Sequence, residues 1–227
     1  ARMKIIIIGA GQGLGKVLSK MLRVRGHEVV SGFRNMNSDD WTKEAGILGL
    51  PMDVTDQEQM KAAAGIVKEQ MGEVDAGVDV AGVLLNSDRE RNLMEEPLED
   101  VRQHLEVNAI GVLAAFRAFY PVMKKGGKFL AVTSEGGSFT CAGSLFPAYG
   151  ISKTAANKII QTLRFTVDNV EILAVHPGRM NTVMGRTTAQ IEAEEAAEGF
   201  CGLLEGSIPV DGEKAWFIDY KGNEMPL

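Results

Sequence analysis

Runs of apolar, mostly β-branched residues recur along this chain, each followed by a longer stretch with apolar positions three and four apart. Met3–Ile8, with four successive isoleucines, reads as a strand buried on both faces. The spacing predicts a helix over Gly13–Arg25 and a second strand over His27–Phe33. Further strands are expected at Ile47–Met52, Val74–Val80, Gly127–Thr133 and Val170–Val175, with Trp216–Tyr220 as a last edge strand. Helices are expected near Gln57–Met71, Leu98–Lys124 and Tyr149–Val167. No internal repeat or low-complexity linker interrupts the pattern. Strands that alternate with helices imply right-handed crossovers and an α/β architecture. The expectation is one domain over residues 1–227, a doubly wound parallel sheet with helices on both faces. Such sheets bind ligands at the carboxyl ends of their strands, where the strand order reverses.

Composition narrows the class of partner. The chain has 24 basic and 30 acidic residues, a net charge of −6, and no basic stripe for nucleic acid to meet. Cys141 and Cys201 are far apart and match no metal or redox spacing, as in a reduced, cytoplasmic protein. The apolar run Ile5–Ile8 is too short for a signal sequence or a membrane span. No metal site is expected: His176 reads as a packed strand-end residue, and Glu192, Glu194, Glu195 and Glu198 as a solvated helix face.

The 26 glycines exceed the usual share of about 7%, which directs attention to where they cluster. Directly after the first strand comes Gly9-Ala10-Gly11-Gln12-Gly13-Leu14-Gly15, and a helix follows it. Backbone N–H groups at a helix N-terminus favour a pyrophosphate, and glycines let it approach. The common dinucleotide fingerprint fails, because Leu14 stands at its last glycine position. Gly9, Gly13 and Gly15 fit G-x-x-x-G-x-G instead.

Other motifs follow in order: Asp53-Val54, Asp79-Val80-Ala81-Gly82, Asn108, Ser134, Tyr149-x-x-x-Lys153, and Pro177-Gly178 with Thr182. Together with the glycine spacing, this ordered set resembles the short-chain dehydrogenase/reductase superfamily. Val175–Gly185 and Phe217–Gly222 are similar to its C-factor-like, short carbonyl-reductase branch. Two positions depart from the family pattern: Ile8 replaces a threonine and Asp79 replaces the first asparagine of Asn-Asn-Ala-Gly.

The resemblance implies a Rossmann fold, a nicotinamide dinucleotide and hydride transfer between a carbonyl and an alcohol. It assigns Tyr149 as general acid/base, Lys153 as modulator of its pKa and ribose ligand, and Ser134 as partner of the substrate oxygen. Asn108 would hold a water in the proton relay. Tyr149 and Lys153, four apart, share one helix face, and a nearby ammonium is expected to lower the phenol from its usual value of about 10. Ser138 is a rival to Ser134. Thr182 either binds the nicotinamide carboxamide or caps a helix. The cofactor set comprises Gly9, Gly11, Gln12, Gly13, Leu14, Gly15, Arg34, Asn35, Asp53, Val54, Val80, Ala81, Gly82, Tyr149, Lys153, Pro177, Gly178 and Thr182.

NADP is favoured over NAD, because the end of the second strand reads Phe33-Arg34-Asn35 without a carboxylate. A guanidinium suits a 2′-phosphate, although arginine here can also stack on adenine in NAD enzymes. The substrate is expected to be a small or medium carbonyl or alcohol compound. A dinucleotide-binding regulator with little turnover is the alternative, and a nucleotide-sugar epimerase would need a larger region after Thr182. The helix around Asn108 reads as apolar nearly all round, which together with the resemblance predicts a homodimer or homotetramer.

Overall fold

The computed structural model describes residues 1–35, 41–141, 143, 145–185 and 189–227. Its strands are β1 (Lys4–Ile8), β2 (Glu28–Phe33), β3 (Leu48–Pro51), β4 (Val74–Asp79), β5 (Met123–Val132), β6 (Val170–His176) and β7 (Phe217–Asp219). They form one sheet in the order β3-β2-β1-β4-β5-β6-β7, and every neighbouring pair is parallel. Its helices are α1 (Gly13–Val24), α2 (Trp41–Ala45), α3 (Gln57–Met71), α4 (Asn86–Glu90), α5 (Leu98–Leu105), α6 (Gly111–Phe119), α7 (Pro147–Thr166) and α8 (Ala193–Glu205). A π-helical stretch, Glu106–Ile110, joins α5 to α6.

The two-residue period of β1 explains why both faces are covered. Ile6 and Ile8 enter one apolar layer with Phe116, Phe119 and Ile160, whereas Ile5 and Ile7 enter the other with Leu18 and Phe200. All four isoleucines are fully buried, each contributing about 1.5–3 kcal/mol. Because β1 pairs with both β2 and β4, the chain reverses direction across the sheet beside it. A cleft opens at that point.

The helix expected over Leu98–Lys124 is α5, the π stretch, α6 and a short 3-10 turn ending at Val122. Met123 and Lys124 instead begin β5, four residues before the expected start at Gly127. Leu98–Val122 has the length and hydropathy of a membrane span. Yet Val112, Ala115, Phe116 and Phe119 are buried in the core, which accounts for the apolar composition. Its exposed positions are not all apolar: Arg102, Gln103, Glu106 and Arg117 are exposed as well as Ile110. The short helices α2 and α4 carry too few residues for a readable period.

Candidate active site

The glycine loop is built by close approach. Gly9 and Ala10 both donate their N–H groups to the Gly32 carbonyl, which folds the loop back over the end of β2. A Cβ on Gly9 would lie 2.5 Å from the Ala81 nitrogen, and one on Gly15 would lie 2.2 Å from the Gly9 carbonyl oxygen. Gly9 and Gly13 also take positive φ, 84° and 55°. Helix α1 has no acidic residue in its first turn, and its N-cap Gln12 makes no side-chain bond to it. Its N-terminal amides and partial positive charge therefore face the cleft without a capping side chain. This cradle fits a pyrophosphate.

The cleft has a volume of 870 Å³ and runs along the carboxyl ends of the strands. Gly11, Gln12, Gly13 and Leu14 line it beside β1, Arg34 and Asn35 beside β2, and Asp53 and Val54 beside β3. Val80, Ala81 and Gly82 follow β4, and Pro177 and Thr182 follow β6. Asp53 is fixed by Thr55, whose N–H and hydroxyl both donate to Oδ1. Gly178 turns the chain at φ 83° after β6. Phe33 is buried to 1%, its ring edge-on to Trp41 at 5.7 Å, so Arg34 is the exposed side chain at the end of β2. Thr182 holds the turn that follows it: its Oγ1 accepts from Gly185 N–H at 3.2 Å, and a Cβ on Gly13 would lie 3.7 Å from its methyl.

At the other end of the cleft, Tyr149 and Lys153 stand one turn apart on α7. Lys153 Nζ lies 5.4 Å from the centre of the Tyr149 ring and donates to the Val132 carbonyl at 3.1 Å. Ser134 stands near enough to the Tyr149 phenol to influence its proton, and its Oγ accepts from Gly136 N–H at 3.0 Å. Ser138 is a turn former, its Oγ accepting from Cys141 N–H. His176 is packed as expected, and it holds the turn beside Ser134 by accepting from Glu135 N–H at Nδ1.

Asn108 lies fully buried in the π stretch. Its Oδ1 accepts from Val83 N–H at 2.8 Å, and its Nδ2 donates to the Val83 carbonyl and to Ser152 Oγ. The amide therefore clamps the strand-four loop to α7. One lone pair of Oδ1 remains, and a Cβ on Gly82 would sit 3.3 Å from Oδ1 and 3.6 Å from Lys153 Nζ. Gly82 thus leaves space open between the Asn108 amide oxygen and the Lys153 ammonium.

Electrostatics correct one expectation. Burial pushes the Tyr149 phenol up to about 12, and the Ser134 hydrogen bond opposes it. The sequence suggested a lowered phenol; burial dominates and raises it, although Lys153 lies over the ring face. Burial lowers Lys153 itself to about 8, with Asp79 holding it up. Asp79 is raised to about 7 by burial, opposed by the Ala81 N–H bond and the Lys153 charge. The asparagine-to-aspartate departure thus places a buried carboxyl beside the active lysine. Sequence reasoning missed Arg102, Gln103 and Glu106, which line the cleft from the α5 side and look like ordinary solvated positions.

The sequence model of the short chain dehydrogenase family matches residues 3–193. A dehydrogenase from Rhodococcus sp. (strain AD45), 1-hydroxy-2-glutathionyl-2-methyl-3-butene dehydrogenase, is 30% identical over 214 residues, covering 90% of this chain and 92% of its own. A carbonyl reductase from Pseudomonas aeruginosa in complex with NADP superposes with a TM-score of 0.85 over 100% of both chains, at 24% identity. A short chain dehydrogenase from Burkholderia cenocepacia in complex with NADP gives 0.81 at 26% identity, covering 96% of this chain and 87% of its own. The chain belongs to the short-chain dehydrogenase/reductase family and is an NAD(P)-dependent oxidoreductase.

Proposed function

We propose that this enzyme is an NADP-dependent reductase of a small or medium apolar carbonyl compound, or a dehydrogenase of the corresponding alcohol. The observation that carries this reading is the Tyr149 phenol on the wall of the cleft, with Ser134 near it and Lys153 over its ring. When bound, the nicotinamide supplies the hydride to the carbonyl carbon. Tyr149 gives its proton to the carbonyl oxygen, and Ser134 Oγ holds that oxygen in line. With its phenol near 12, Tyr149 stays protonated across neutral pH and is ready as an acid. Lys153 steadies the phenolate once the proton has left, and a water beside Asn108 and Gly82 returns a proton. Lys153 would also hold the nicotinamide ribose, Thr182 the carboxamide and Asp53 the adenine amino group. Met180, Val183 and Met184 form an apolar wall, which supports an apolar substrate. Exposed Arg34 would meet the 2′-phosphate, and the solved relatives that hold NADP agree with that choice. NADPH consumption across aldehydes, ketones, quinones and β-ketoacyl compounds tests the reading. Binding of NADPH without turnover on any of them would favour the regulator instead.

The buried Asp79–Lys153 pair gives a pH dependence. Lys153 is charged below about 8, and Asp79 is ionised only above about 7. Reductive turnover should therefore hold steady up to about pH 8 and decline above it. Asp79→Asn removes the anion that holds the lysine proton, so the decline should begin at lower pH. Superimposable pH–kcat/KM profiles would contradict the coupling.

The reading includes a homodimer or homotetramer in the cytoplasm. On the outer side of the long helix Ile110 is 49% exposed, with Leu113 and Ala114 half-buried, and Ile151 and Phe165 stand exposed on α7. Apolar surface of this kind on two neighbouring helices supports pairing with a second copy. Light scattering at micromolar concentration should give a multiple of the 24.5 kDa chain, and Leu113→Glu should weaken it by burying an unpaired charge. A monomer in solution would refute the assembly.

A further inference from the structure

Away from the cofactor cleft lies a second group of buried ionisable side chains, Asp88 on α4, Glu96 before α5 and His104 on α5. Asp88 directs both carboxylate oxygens at the N-terminus of α7. Its Oδ1 accepts from Ala148 N–H at 2.8 Å, and its Oδ2 accepts from Tyr149 N–H at 2.8 Å. Helix α7 needs an external cap. Its own N-cap, Phe146, has no acceptor side chain and is held in the left-handed region at φ 53°, and Pro147 has no N–H to offer. A carboxylate 60 residues earlier in the chain supplies what Ser or Asp usually supplies locally.

The surroundings of Asp88 are set to keep it there. His104 Nε2 lies 3.8 Å from Asp88 Oδ2. The ring is oriented by its neighbours, Nδ1 donating to the Asp100 carbonyl at 2.7 Å and Nε2 accepting from Leu85 N–H at 3.2 Å. Glu96 accepts from Ser87 Oγ, and burial together with the adjacent Asp88 raises its carboxyl to about 7. The next residue, Arg89, donates to the Met184 carbonyl and lies 5.7 Å from the centre of the Phe146 ring. Helix α4 thus ties the first turn of α7 to the loop that walls the cleft.

We propose that Asp88 is a positioning residue for the proton donor: by bonding the Tyr149 N–H itself, it fixes the height of the first turn of α7 and aims the phenol at the substrate oxygen. The proposal rests on the reading of Tyr149 as the acid. Replacing one carboxylate oxygen by an amide NH₂ would set a donor against a backbone N–H, and displacements of about 1 Å at a reacting group cost on the order of 10²-fold in rate. Asp88→Asn should lower kcat by about 10- to 100-fold while the NADPH dissociation constant, read by fluorescence, changes by less than about twofold. Asp88→Glu keeps the charge at the helix end and should recover part of kcat, and it serves as the folded variant should Asp88→Asn be unstable. In a Tyr149→Phe background, either change should lower residual turnover no further, because the group being aimed is already gone.

Three results would overturn the proposal. These are an unchanged kcat per folded molecule, an equal loss in NADPH binding, or the same loss repeated in the Tyr149→Phe background. Substantial activity in Tyr149→Phe alone would instead refute the acid assignment. The Asp88 single variants would still show whether the cap affects turnover by another route.

Discussion

Tyr149→Phe is expected to lose about 10²- to 10⁴-fold in kcat, the range a general acid supplies, with NADPH affinity nearly unchanged. Phenylalanine keeps the ring beneath Lys153 Nζ and the packing of α7, and removes only the hydroxyl. Lys153→Ala should damage both quantities. That ammonium is buried to 3%, bonds the Val132 carbonyl and faces the same cleft, so its loss removes a charge, a ribose contact and a strut together. Steady-state kinetics with a separate binding titration resolves the two patterns. A Tyr149→Phe enzyme with most of its turnover would mean that another group donates the proton.

The second large effect concerns cofactor choice. Arg34→Asp should move the NADPH/NADH ratio of kcat/KM by about 10²-fold towards NADH, because it removes a charge-assisted contact and adds a repulsive one. The structure favours this position over Phe33, whose ring is buried against Trp41, so a carboxylate there would enter the core. Equal ratios for the two proteins would separate Arg34 from the 2′-phosphate.

Much of the fold was legible because its signals are local. Four consecutive isoleucines can be satisfied only between two helical layers, and β1 is where they lie. The glycine spacing read as a phosphate cradle is one whose Cβ atoms would collide with Ala81 and Gly9. Tyr149 and Lys153 share a face because an α-helix repeats every 3.6 residues. What stayed hidden depends on distant neighbours. The cap on α7 joins Asp88 to Tyr149 across 61 residues, and no period in either segment announces it. Only a short 3-10 turn separates α6 from β5, so Met123 and Lys124 at the start of β5 were read as helix. The π stretch at Asn108 keeps a helical sequence pattern and betrays itself only by the Gly111 N–H to Glu106 carbonyl bond. The direction of the Tyr149 shift turns on burial, which spacing does not contain.

The proposed reaction is direct hydride transfer at this cleft to a carbonyl protonated by Tyr149. The most direct measurement uses NADPH deuterated at its transferable position, with any carbonyl compound the wild-type enzyme reduces. The expected product is an alcohol carrying that deuterium on the former carbonyl carbon, formed by the wild type and nearly absent with Tyr149→Phe. A product without the label, or equal labelled product from both proteins, would contradict it.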